Sequence, residues 1–267
     1  MNLAVKLVAR SLWIYSFITL ALVLGVAAWP GVLLAHWAWT TKALGGWVMP
    51  EPVWLLWGTV FSFAGYFVMG IALMLLLPVL RVVMGLSTGE GTVPIRSFKV
   101  WSWYNYNGLI LAFQTLFGKF WRSSSLYVLF LRAMGAKIGK NVIVNSNTVY
   151  DHDMLEIGDN AVIGGDAAII GHIGEKGHLV RKKVRIGKGC TIGQYTTVFP
   201  GATIGDNCHV GAMSLVPKDA KLDANAVYGG VPARKIKDLK PGDRSSVAQQ
   251  ADPEALAIEL EKQGQTT

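Results

Sequence analysis

Residues Ile186–Asp219 read IGKGCTIGQYTTVFPGATIGDNCHVGAMSLVPKD, and their period is six. Ile186, Ile192, Val198, Ile204, Val210 and Val216 recur in step, and the series runs on to Leu222 and Tyr228. Four residues after each anchor stands a small one: Cys190, Thr196, Ala202, Cys208, Ser214, Ala220, Ala226 and finally Pro232. An α-helix has no use for this pattern, because positions six apart spread roughly 240° around its axis. A coil of three short parallel strands does use it, with the anchor pointing into the core and the small residue filling an inward corner. Gly187, Gly193, Gly205, Gly211 and Gly229 follow anchors directly, where a tight bend at positive φ is expected. Earlier anchors are Ile138, Val144 and Tyr150, then Ile157, Ile163 and Ile169 after a one-residue slip. The whole makes about fourteen hexads, or four to five coils, standing roughly 20 Å tall at the interstrand spacing.

Composition divides the chain. Its 267 residues are 52% hydrophobic, and the apolar share is concentrated before about Arg81. Leu12 to Leu34 and Val53 to Leu80 are each long enough to cross a bilayer core. Lys6 and Arg10 precede the first run, and Arg81, Arg96 and Lys99 follow the second. By the positive-inside rule both termini face the cytoplasm, so a multi-pass inner-membrane protein with a cytoplasmic coil is expected. From Ser97 to Arg132, Trp101, Trp103, Tyr104, Tyr106, Trp121 and Tyr127 mix with Lys99, Lys119, Arg122 and Arg132, a composition suited to helices lying in the membrane interface. The expected organisation is two membrane helices in 1–96, interfacial helices in 97–134, a β-helix in 135–237 and a polar tail in 238–267. The tail carries a short helix starting at Asp252-Pro253-Glu254. The membrane half is expected to cover the first coil. The net charge of +8 suits an anionic membrane surface, and no nucleic-acid motif is present.

Cys190 and Cys208 lie one full coil apart, so they stack at one inward corner as small buried thiols. The hexads break between Ile169 and Ile186 at GHIGEKGHLVRKK, which reads as a protruding loop. His172 stands where coil gives way to loop, whereas His178 falls in its basic, flexible part. His152, His172, His178 and His209 occupy different hexad phases, so three imidazoles do not converge and no metal is expected.

The stretch from Ile186 to Lys237, ending YGGVPARKIK, resembles the left-handed β-helix acyltransferases, especially the galactoside and maltose O-acetyltransferases. The resemblance implies a left-handed coil, a homotrimer with sites between subunits, and acetyl-CoA as acyl donor. It also implies His172 as general base. Asp151 and Asp153 in the preceding coil and Glu175 nearby are candidates to orient the base, and the two aspartates are also candidates to meet substrate. By the same resemblance Gln194, Ala212 and Pro217 would line the pantetheine groove, and Lys218, Arg234 and Lys237 would meet the cofactor's phosphates. Glutamine at 194 replaces the family's small residue, and Pro217 lacks an amide donor. The two apolar runs followed by LRAMGAKIGKN at Leu131–Asn141 and the coil also resemble the membrane-bound terminal module of some nonribosomal peptide synthetases, such as poly-lysine synthetases. The expectation is therefore a membrane-anchored O- or N-acyltransferase acting on a glycan, lipid or peptide acceptor. A carrier-dependent peptide-bond-forming module and a non-catalytic trimeric scaffold are the alternatives.

Overall fold

The computed structural model describes residues 51–86 and 89–239, together with scattered positions between 21 and 43. The run Leu12–Leu34 and the tail helix at Asp252 lie mostly or wholly outside these residues. The chain divides into two compact units, Met1–Leu86 and Ser87–Thr267.

In the first unit, α1 (Glu51–Val83) is apolar along its length and ends near Arg81. Its segment Phe63–Val83 is the one helix among the described residues that is long and apolar enough to cross a membrane.

The second unit is a parallel β-helix with three walls. Ile138, Ile157, Ile186, Ile204 and Leu222 stack along the first wall. Val144, Ile163, Ile192, Val210 and Tyr228 stack along the second. Val149, Ile169, Val198 and Val216 form the third. Apart from the half-exposed Ile138 these anchors are buried, each contributing roughly 1.5–3 kcal/mol by removing a large aliphatic or aromatic side chain from water. Cys190 and Cys208 are free, buried thiols at the expected corner.

Two expectations about the repeat are corrected. The third anchor of the first coil is Val149, which is buried and bridges to Ile169, while Tyr150 is only partly covered. The slip is taken up just beyond it by a 3₁₀ turn at His152–Met154. The glycines after the anchors are not at positive φ; the left-handed residues come two positions later, as at Asn160, Tyr195, Asn207 and Met213. At Gly187, Gly193 and Gly205 close approach requires the glycine instead, whereas at Gly211 a Cβ would meet nothing nearer than 3.5 Å. A Cβ on Gly193 would stand 2.4 Å from the Ala212 nitrogen, and one on Gly158 2.6 Å from that of Lys188, so the next coil's backbone fills the space.

Within the second unit the first coil is covered by residues that follow α1. Helix α2 (Phe98–Phe113) continues through a π-helical turn at Gln114–Gly118, and α3 (Ser125–Ala133) starts from a Ser124 cap whose side chain accepts from the Tyr127 amide. Tyr106, Ile110, Phe113, Phe117, Tyr127, Phe130 and Leu131 are buried in this cap. Backbone acceptors at the open end of the coil are also met: the Gln114 amide donates to the Val149 carbonyl at 2.8 Å, and the Ser123 N–H to the Val144 carbonyl at 2.8 Å. Such pairing matters because unpaired backbone groups at a buried edge are costly.

The break after Ile169 is a β-hairpin rather than a flexible loop. Strands His172–Glu175 and His178–Arg181 pair antiparallel, and Gly91–Pro94, from the connection between α1 and α2, adds as a third strand.

Candidate active site

Both irregularities of the coil fall at one corner, between the third wall and the first. In the first coil the step from Val149 to Ile157 makes room for Asp151; in the second the step from Ile169 to Ile186 holds the hairpin that begins at His172. Stacking the coils brings Asp151 beneath His172, and the Asp151 Oδ2 lies 2.5 Å from the His172 Nδ1.

Asp151 is wholly buried, at left-handed φ of 51°, a conformation that aspartate tolerates better than most residues. Its Oδ1 accepts from the Trp103 indole N–H at 2.7 Å and from the Asn107 amide at 3.2 Å; its Oδ2 also accepts from the Gly171 N–H at 3.2 Å. Arg181 Nη2 stands 3.6 Å from Oδ1 and 2.6 Å from the Asp153 carboxylate, while its Nη1 donates to the Gly89 carbonyl at 3.0 Å. Burial alone would raise the Asp151 pKa, but the His172 hydrogen bond and charge, then Arg181 and Trp103, outweigh it and hold the carboxyl below its ordinary value.

The ionised carboxylate fixes the imidazole. It accepts the Nδ1 proton, which leaves the lone pair on Nε2, the nitrogen that faces away from Asp151. The Trp103 ring lies edge-on to the imidazole, with centroids 4.7 Å apart, and the His172 side chain remains 26% exposed. An oriented, partly open imidazole over a buried carboxylate is equipped to take one proton from a bound hydroxyl or amine.

The other candidates separate. The Asp153 side chain is 5% exposed and held by Arg181, and Asp151 is wholly buried, so neither carboxylate is open to a substrate. Glu175 does not reach the base; it pairs with Lys218 at 2.5 Å, which brings Lys218 and Pro217 to the His172 corner two coils on. Gln194 and Ala212 are exposed and stacked at a different corner, where Gln194 O accepts from Met213 N at 2.9 Å. Arg234 and Lys237 lie exposed on the last strand, Arg234–Asp238, opposite Gly229 and Val227. His178 is exposed on the returning hairpin strand, and His152 is buried with Nε2 at 3.0 Å from the Val149 carbonyl. Among the described residues no three metal-ligating side chains converge.

Trp103, Asn107 and Arg181 were not singled out as site residues from the sequence. Trp103 and Asn107 are one helical turn apart on α2, a spacing that could have marked them as acting together.

Residues 183–218 match the family model described as Bacterial transferase hexapeptide (six repeats). The galactoside O-acetyltransferase of Escherichia coli K12 is 42% identical over 50 residues, covering 19% of this chain and 24% of that enzyme. The matched segment thus spans about a quarter of that relative's length. Among solved structures, a maltose O-acetyltransferase from Clostridium difficile 630 is 24% identical with a TM-score of 0.42, covering 58% of this chain and 96% of its own. A galactoside acetyltransferase in complex with coenzyme A is 23% identical with a TM-score of 0.39, covering 50% of this chain and 79% of its own.

Proposed function

We propose that this chain, whose coil carries the bacterial transferase hexapeptide repeat, is a membrane-anchored acyltransferase that moves an acetyl group from acetyl-CoA to a hydroxyl or amine. The observation that carries the reading is the Asp151–His172 pair at the irregular corner of the coil. A scaffold gains nothing from a buried carboxylate that holds an open imidazole in one tautomer.

The reaction follows from that tautomer. The acceptor O–H or N–H donates to His172 Nε2, and its lone pair attacks the thioester carbonyl. The bond from acyl carbon to acceptor forms as the acyl–sulfur bond breaks. His172 takes the acceptor's proton, becomes an imidazolium stabilised by ionised Asp151, and returns the proton to the departing CoA sulfur. Trp103, Asn107 and Arg181 act through Asp151 by keeping it charged and in place.

The acyl donor is supported by the relatives' activities. The left-handed sense of the coil is supported by the hexapeptide match, and the membrane anchor by Phe63–Val83. Assembly as a homotrimer is supported by the spread of cofactor candidates. In one prism Lys218 and His172 share a corner while Gln194 and Ala212 lie at another, so they can border one groove only where two copies meet. Arg234 and Lys237, exposed on the last strand, are the cations that would meet the cofactor's phosphates.

The test is native mass spectrometry of the detergent-purified full chain with acetyl-CoA, followed by a thiol-release assay. Three copies carrying three cofactors are expected. A monomer that binds acetyl-CoA tightly contradicts the trimer, and a chain that binds none contradicts the activity. Turnover only with a carrier-bound acyl group would favour the peptide-bond-forming alternative.

A further inference from the structure

We infer that the acceptor is a lipid-borne alcohol or amine, presented to His172 by a membrane surface on which α2 lies. The inference rests on the acyltransfer reading and adds the substrate class.

Helix α2 is apolar on two sides. Its buried face, with Tyr106, Ile110 and Phe113, packs into the cap. On the opposite side Trp101, Tyr104, Gly108 and Leu111 follow at spacings of three and four and form one stripe, continued beyond the π turn by Leu116 and Phe120. Leu111 is 51% and Phe120 61% exposed, and Trp101 stacks on the exposed Phe98 at 5.0 Å. A surface helix of a water-soluble domain keeps its outer side polar; one that is apolar all round belongs in a core or in lipid. Lys119, exposed, stands at the far end of the stripe, where it can meet anionic headgroups.

The stripe also borders the site. At about 100° per residue, Trp103 and Asn107 fall on the flank of α2 between the buried face and the stripe. They are the residues that hold Asp151, and Trp103 touches the His172 ring. One helix, about 10 Å across, therefore separates the proposed lipid surface from the base. A headgroup hydroxyl or amine can reach Nε2 while its acyl chains remain in the leaflet. A free sugar or peptide would gain nothing from this arrangement.

Two measurements test the inference on the full chain in vesicles of phosphatidylethanolamine and phosphatidylglycerol. Spin labels are placed singly at Tyr104→Cys and Leu111→Cys, the native cysteines being buried, with Tyr195→Cys on the coil as reference. The stripe labels should collide severalfold more with oxygen, relative to a water-soluble nickel chelate, than the reference does. Reference-like values at both positions would overturn the lipid surface. The second measurement compares thiol release from acetyl-CoA with the organic and the aqueous phases of an extract of the producing cells as acceptor source. Release with the organic phase is expected. Release with the aqueous phase alone overturns the lipid acceptor but leaves acyl transfer standing, whereas no release with either removes the acyltransfer reading and this inference with it.

Discussion

His172 and Arg181 face each other across one rung of the hairpin, and both reach the same buried carboxylate, His172 at Oδ2 of Asp151 and Arg181 toward Oδ1. The hairpin thus brings the proposed base and the cation that helps keep its partner ionised to the corner as one piece. Sliding the hairpin by a residue would remove both.

Asp151→Asn is expected to lower turnover by roughly 10²–10⁴-fold, because an amide neither fixes the Nδ1–H tautomer as firmly nor stabilises the imidazolium. It should also change the acid limb of stability. The folded state favours ionised Asp151, so its contribution is complete above the ordinary aspartate range, near pH 4, and is lost as pH falls through the lower folded value. Urea midpoints measured from pH 2 to 6 should fall less steeply toward acid in the variant than in the parent.

His172→Ala should leave acetyl-CoA affinity nearly unchanged and reduce turnover by about 10²–10⁴-fold. His178→Ala should matter little, since His178 lies exposed on the returning strand with Nδ1 at 3.0 Å from the Lys176 carbonyl. Steady-state thiol release with both variants checks the contrast.

Arg181→Met should destabilise the fold by about 3–5 kcal/mol, because it leaves Asp151 and Asp153 buried without their shared cation. Lysine should not restore the loss, as one ammonium cannot bond Asp153 and the Gly89 carbonyl from two nitrogens. Denaturant midpoints with the Asp153→Asn/Arg181→Met pair should recover part of the loss.

Gly193→Ala tests the stacking geometry. With the added carbon 2.4 Å from the Ala212 nitrogen the next coil must shift, costing on the order of 1–3 kcal/mol. Tyr195→Asn, at a residue with φ of 56°, should be neutral or mildly stabilising, since asparagine accepts the left-handed region more readily. Melting temperatures of the two variants should move in opposite directions or differ by several degrees.

A cysteine placed between residues 35 and 52 should react with an impermeant maleimide in intact cells, and Tyr195→Cys should not, if both ends of the chain face the cytoplasm. The opposite pattern would place the coil outside.

Much of the coil was legible because its period repeats a single physical demand, one buried anchor per wall. Ile186 to Tyr228 keep that phase without error. Tyr150 misled because a large apolar residue one step from a buried valine satisfies the same pattern, and nothing local signals the turn that follows. The post-anchor glycines were recognised, but their cause was not: sequence shows a small residue without showing that another coil's backbone lies against it. His172 was visible as the residue where the repeat fails. Its partner was narrowed to three carboxylates and no further, since only stacking puts Asp151, twenty-one positions earlier, beneath it. Trp103 and Asn107 were hidden among aromatics that suit a membrane interface equally well, and Arg181 among the basic residues of an apparent loop.

The strand Gly91–Pro94 and helix α2 make the coil a poor transplant. A fragment beginning at Gly135, where the repeat starts, would keep every hexad yet lack the hairpin's third strand, the cap over the first coil, and both side-chain donors to Asp151 Oδ1 that come from α2. The smallest independently useful piece starts near Gly89, whose carbonyl is itself bonded to Arg181. A graft between relatives that cuts at the first hexad would exchange the frame and leave the working parts behind.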